Sequence, residues 1–152
     1  MMREATEKNR VIMLEAIFEV FEKMLFIFLE PSTEKISGLD LGASISFQDD
    51  KLQGEMRLLF STDLAVHMAQ NILNPEDGRV TEEQIEDCVK EAVNMVCGNY
   101  LSKLDPRRVF DLAIPVFLKK PGKTVSGDQA FRLDFASDDG PLCFMMGSSV
   151  RR

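Results

Sequence analysis

Leu39-Asp40-Leu41-Gly42-Ala43-Ser44-Ile45-Ser46-Phe47, then Gln48-Asp49-Asp50-Lys51, then Leu52-Gln53-Gly54-Glu55-Met56-Arg57-Leu58-Leu59-Phe60, is the stretch that decides the fold. Leu39, Leu41, Ala43, Ile45 and Phe47 alternate with small or polar residues, and side chains two apart share one face of a strand. Leu52, Gly54, Met56, Leu58 and Phe60 repeat the pattern. Two such runs across a short polar turn read as an antiparallel hairpin with one buried face.

Upstream, the period is helical. From about Asn9 to Leu29, Leu14, Ile17, Phe21, Met24 and Phe28 form an apolar stripe, with Glu15, Glu19, Glu22, Lys23 and Glu30 opposite and Pro31 as the stop. Downstream, Ser61-Thr62-Asp63 caps a short helix that runs through Leu73 and ends at Asn74-Pro75. After the Pro75-Glu76-Asp77-Gly78 turn, Thr81-Glu82-Glu83-Gln84 is a capping box, and its helix runs to about Leu104, closed by Asp105-Pro106. Phe110, Leu112, Ile114, Val116 and Leu118 then alternate, and Pro115 confines that strand to an edge or a bulge. Phe131-Leu133-Phe135 and Leu142-Phe144-Met146 supply two more strands around Ser137-Asp138-Asp139-Gly140. No linker divides the chain. Residues 1–152 therefore read as one domain, an α/β (α+β) sandwich in which long helices pack on a mainly antiparallel sheet. Glu15–Leu25 also echoes Glu91–Leu101, each helix being followed by paired strands, as a worn duplication or two similar amphipathic helices would give.

Composition narrows the chemistry. The net charge of −7 and pI near 4.8 oppose a phosphate backbone, so nucleic-acid binding is not expected. Cys88, Cys97 and Cys143 show no CxxC spacing and His67 is the lone histidine, too few ligands for zinc. Cys88 and Cys97 read as small buried hydrophobes, and His67 as a structural residue. The longest apolar run, Met24–Leu29, is far too short to span a bilayer, and the charged start shows no secretory core. A cytoplasmic protein with no membrane partner is expected. Lys119-Lys120-Pro121-Gly122-Lys123 reads as a solvated basic turn.

The helix after Thr81 carries the candidate chemistry. Ile85, Val89, Ala92, Val96 and Tyr100 make its buried stripe, while Asp87, Glu91, Asn94 and Gly98 recur at spacings of four, three and four and stack in one column opposite. A carboxylate and a carboxamide three residues apart are thus held together on a rigid element. Such a column is equally the ordinary appearance of a solvated helix face. Gly98 either lets a partner approach closely or relieves a helix crossing.

Asp87-x-x-x-Glu91-x-x-Asn94, followed by Met95-Val96-Cys97-Gly98 and the strand Leu112-Ala113-Ile114-Pro115-Val116, resembles the CheX/CheC family of chemotaxis phosphatases. The first helix around Val20–Leu25, the hairpin and the short second helix follow in the family's order, though only the motif helix is specific. The resemblance implies hydrolysis of the aspartyl phosphate on a CheY-like receiver domain. It assigns Asn94 to orient the attacking water, Glu91 to pair with the receiver's active-site lysine, and Asp87 to a supporting or docking role. Mg2+ then belongs to the partner, and this chain needs no cofactor of its own. In the first helix Phe18 stands at the position of Asn94 and Val11 at that of Asp87, leaving one motif helix, a CheX-like pattern that implies a homodimer. The alternative is a non-catalytic interaction module like the flagellar switch proteins that share the fold.

Overall fold

The structure, a computed structural model, describes residues 2–121, 125 and 127–151, with residues 2–6 as helical backbone only. Gly122 and Lys123 of the basic turn lie outside the described residues. In chain order the elements are helix α1 (Met2–Phe18) continued by a π-helical turn (Glu19–Met24), β1 (Glu30–Pro31), β2 (Leu41–Gln48), β3 (Leu52–Phe60), α2 (Thr62–Leu73), α3 (Glu82–Leu104), β4 (Asp111–Leu112), β5 (Val116–Leu118), β6 (Gln129–Ala136) and β7 (Leu142–Val150). The strands form one seven-stranded sheet in the order β1-β6-β7-β3-β2-β4, with β5 also pairing with β2. Every pairing is antiparallel.

From Leu41 onward the hairpin folds as its alternation predicts, whereas Leu39 precedes β2 and packs on the other face of the sheet, since the unpaired chain there is not held to the strand period. Leu41 pairs with Phe60 and Gln48 with Gln53, so Ala43, Ile45, Phe47, Met56, Leu58 and Phe60 all point to the helical side and are buried. The hairpin β6–β7 supplies Leu133, Phe135, Phe144 and Met146 to the same core. Between the hairpins, β3 pairs with β7 from Leu52↔Val150 to Phe60↔Leu142, with Met56↔Met146 at the middle. The two hairpins therefore meet edge to edge in the middle of the sheet, through β3 and β7. On this face α3 lies between α1 and α2 and packs over β2 and β3.

The first helix departs from its predicted stripe. α-Helical bonding ends at Phe18, and Leu25 N donates to Val20 O at 3.1 Å, an i→i−5 bond. A π turn holds more residues than an α turn and rotates the later side chains out of the 3.6 period. Met24 is accordingly exposed, and Leu25 is buried in its stead. Phe26 then adopts φ 56°, and the chain runs on with Ile27 and Leu29 buried and Phe26 and Phe28 exposed, so Phe28 is not in the core.

The strand around Pro115 is also different. It splits into β4 and β5, both on the outer side of β2, with Phe47 opposite Leu112 but Ser44 opposite Val116. The register slips by one residue between them, a bulge at Pro115 that exchanges the two faces. Phe117 packs on the helical core while Leu118 goes to the other face, and Leu112, Ile114 and Val116 remain exposed. That other face carries a small second core of Leu59, Cys143 and Met145, covered by Ile36, Leu39, Leu118 and Val125.

Asp49 fastens the hairpin turn to the chain that leaves α3. Its Oδ1 accepts the amides of Lys51 and Leu52 at 2.9 and 2.8 Å, and its Oδ2 accepts Arg108 Nε at 2.7 Å. Burial pushes the carboxyl up, but those donors outweigh it and hold the group below the usual aspartate value. The Arg108 guanidinium also lies over the Phe110 ring, 4.8 Å from its centre.

Candidate functional site

The site helix α3 is fixed at both ends. Thr81 Oγ1 accepts Gln84 N at 3.1 Å and Gln84 Oε1 accepts Thr81 N at 2.9 Å, which closes the capping box. Glu82 and Glu83 in the first turn complement the positive end of the helix dipole. Near the other end Lys103 Nζ meets Glu19 Oε2 of the π turn at 2.8 Å. That hydrogen bond lowers the Glu19 pKa and raises that of Lys103. Between the ends Val89, Ala92, Val93, Val96, Cys97 and Tyr100 are buried on neighbouring helices and the sheet. The helix cannot roll without exposing that stripe, so the direction of its outer column is set by the core.

All four predicted site residues fall on that outer side. Asp87 and Glu91 are exposed, and Asn94 and Gly98 are half-buried. Neighbours three or four apart on a helix have Cβ atoms about 5–6 Å from each other, so Glu91 and Asn94 can engage one small target together. Asp87 is engaged locally: its Oδ1 lies 3.5 Å from Lys90 Nζ. A Cβ built on Gly98 meets no atom within 4 Å. No helix crosses there, so Gly98 relieves no crowding within the described chain. The equivalent column of α1 is different in kind, because Phe18 packs edge-on against Phe135 with ring centres 5.7 Å apart.

No cysteine is poised as a nucleophile. Burial first, then the Asp87 and Glu91 carboxylates, push the Cys88 thiol up, and burial takes Cys97 to about 12. A thiol in that state presents little thiolate at neutral pH. His67 lies on α2 with Nε2 3.6 Å from Asp139 Oδ2, away from the column. Lys90, beside the column, is not singled out by the sequence pattern. It stands four residues before Asn94, and a single lysine on an acidic helix looks like solvated charge.

The column lies outside two depressions formed by the described residues. A cavity of about 770 Å³ on the far face of the sheet is lined by Ser46, Gln53, Glu55, Asp128 and Ser149 among others. A smaller one of about 260 Å³ is bounded by Phe26, Phe28, His67 and Asp139. Neither includes a residue of α3. A convex helix face cannot exclude water or surround a small molecule by itself. Its carboxylate and carboxamide are placed to meet a group presented from outside the chain. Among the described residues no helix is long and apolar enough to cross a membrane.

A family model described as chemotaxis phosphatase CheX matches residues 41–136, which include the hairpin and all of α3. No curated protein sequence matches the chain. Among solved structures the chain is similar to the chemotaxis protein CheX from Vibrio vulnificus, with a TM-score of 0.75 and 25% identity over 90% of this chain and 93% of that one. It is similar in fold to a CheC-like superfamily protein from Shewanella sp. PV-4, with a TM-score of 0.77 and 21% identity over 92% and 96% of the two chains. It is also similar in fold to a chain of the CheX-CheY-BeF3-Mg2+ complex from Borrelia burgdorferi, with a TM-score of 0.68 and 18% identity over 95% and 98%.

Proposed function

Because the chain belongs to the CheX family of chemotaxis phosphatases, matched over residues 41–136, we propose that it hydrolyses the aspartyl phosphate of a phosphorylated CheY-like receiver domain. The observation that carries this reading is the placement of Glu91 and Asn94 together on a rigid, convex, solvent-facing helix. That shape suits insertion into a partner's site better than capture of a small substrate.

Asn94 orients the attacking water. A carboxamide both donates and accepts, so it fixes a water in one orientation without ionising. Glu91 pairs with the receiver's active-site lysine and sets the register of docking. Asp87 supports the docking face, and Gly98 leaves room for the receiver's backbone. Mg2+ sits on the receiver, consistent with the CheX-CheY complex having been solved with BeF3 and Mg2+. In the reaction the water oxygen bonds to phosphorus as the bond from phosphorus to the aspartyl oxygen breaks. The bonding pair leaves with the receiver's carboxylate, and both water hydrogens end on the product, H2PO4−. Phosphoryl transfer through a loose transition state needs positioning and charge neutralisation above all, so no covalent nucleophile on this chain is required.

The protein works as a cytoplasmic homodimer in this reading. Exposed Leu112, Ile114 and Val116 on the β4–β5 edge support a self-association surface. The test is the decay of a phosphorylated receiver from the same genome with the chain present at one-tenth the receiver concentration. Faster decay with several turnovers per chain is expected. Unchanged decay across every receiver of that genome would leave a non-catalytic interaction module instead.

A further inference from the structure

Lys90 is the only lysine or arginine between Arg79 and Lys103. Around it the first half of α3 is anionic, with Glu82, Glu83, Glu86, Asp87 and Glu91. Two carboxylates can pair with Lys90 along this helix: Glu86, four residues back, and Asp87, three back. The structure pairs it with Asp87, Nζ to Oδ1 3.5 Å. At 100° per residue Asp87 lies in the column of Glu91, Asn94 and Gly98, whereas Glu86 lies on the flank of the helix. Pairing with Asp87 therefore draws the ammonium toward the column. The pair is loose and wet, the side chains of Lys90 and Asp87 being 36% and 67% exposed, so it exchanges readily for a stronger anion.

We propose that Lys90 is a further catalytic residue, delivered by Asp87, whose ammonium neutralises the phosphoryl oxygens while Asn94 holds the water. This rests on the phosphatase reading above. An acidic helix approaching a phosphoryl group meets repulsion that grows as water is excluded. A cation one turn before Asn94 offsets it where charge is spread over the equatorial oxygens, as basic residues supplied in trans do in other phosphoryl transfers. Lys90 stays protonated throughout and changes no bond. The bond-breaking pair still leaves on the receiver's aspartate, and the water hydrogens still leave with phosphate. Asp87 acts through Lys90 and is a positioning residue.

The test is steady-state dephosphorylation by Lys90→Met, Lys90→Arg, Asp87→Ala and the double variant Lys90→Met/Asp87→Ala, with Asn94→Ala alongside. Circular dichroism confirms that each is folded. Lys90→Met is expected to lower kcat by roughly tenfold or more with little change in KM, and Lys90→Arg to keep most of the rate. Asp87→Ala should lower kcat in the wild-type background and have no further effect once Lys90 is gone. A Lys90→Met kcat within about twofold of wild type, or a loss confined to KM, overturns the role of Lys90. If Asn94→Ala is inactive in the same experiment, the phosphatase reading survives that result. A wild-type chain that leaves receiver decay unchanged overturns both.

Discussion

Replacing Gly98 by alanine should make the fold more stable and the protein a poorer partner for its receiver. Gly98 lies inside α3, it is not among the glycines with positive φ, and a Cβ there meets nothing within 4 Å. The substitution therefore recovers the ordinary helix penalty of glycine, about 0.5–1 kcal/mol, without steric opposition. For a chain of this size that corresponds to a rise in Tm of about 1–4 °C. Gly42 is the control with the opposite sign. A Cβ at Gly42 would run into the Leu58 carbonyl oxygen and lie 2.8 Å from Leu59 Cδ2, so Gly42→Ala should destabilise by about 1–3 kcal/mol. Thermal and urea denaturation measure both. If Gly98 is where the receiver approaches, Gly98→Leu should weaken binding to a beryllofluoride-loaded receiver at least tenfold while leaving the chain as stable as wild type. A fall in Tm for Gly98→Ala would refute the open space, and full receiver binding by Gly98→Leu would refute the approach.

Thr81→Ala removes the N-cap hydroxyl that accepts Gln84 N and should lower stability by about 1 kcal/mol in urea unfolding, with Gln84→Ala smaller because alanine recovers helix propensity while the exposed Thr81 amide it frees can turn to water. The Glu19–Lys103 pair should give a bell-shaped pH dependence. The lowered Glu19 pKa contributes stability that is present above the ordinary value of 4.5 and lost as pH falls through the folded value. The raised Lys103 pKa contributes stability that is present below the ordinary value of 10.5 and lost as pH rises through the folded value. The difference in Tm between wild type and Glu19→Gln should thus be greatest near neutrality and shrink toward both extremes; a constant difference would refute the coupling. If the proposed dimer forms through the exposed edge, wild type should sediment as a dimer and Ile114→Asp as a monomer with unchanged circular dichroism; a monomeric wild type or a dimeric variant would refute that interface.

The parts of this molecule that follow local rules were readable from its sequence. Thr81–Gln84 and Ser61 are caps whose partners lie within three residues, and Ser61 Oγ indeed accepts Leu64 N at 3.3 Å. The alternation of Ala43–Phe47 and Met56–Phe60 survives because each strand is paired along its length and has one face on the helices. What was missed depends on geometry that periodicity does not encode. A π turn after Phe18 shifts the apolar stripe, so Met24 and Phe28 fall outside the core and Leu25, Ile27 and Leu29 inside it. One extra residue near Pro115 exchanges the faces of Val116 and Phe117. Leu59 and Cys143 are buried on the far face by loops whose course no short-range pattern announces. At the site, helical spacing was enough to stack Asp87, Glu91, Asn94 and Gly98. It did not show which carboxylate takes Lys90, because that depends on which side of the helix the core leaves free.

The most direct test of the account is receiver dephosphorylation by Asn94→Ala beside its binding to the beryllofluoride-loaded receiver. The variant is expected to bind within a few-fold of wild type while its rate falls to the receiver's own autodephosphorylation. Catalysis that persists in Asn94→Ala would contradict it, because no other group on the motif face is assigned to the water.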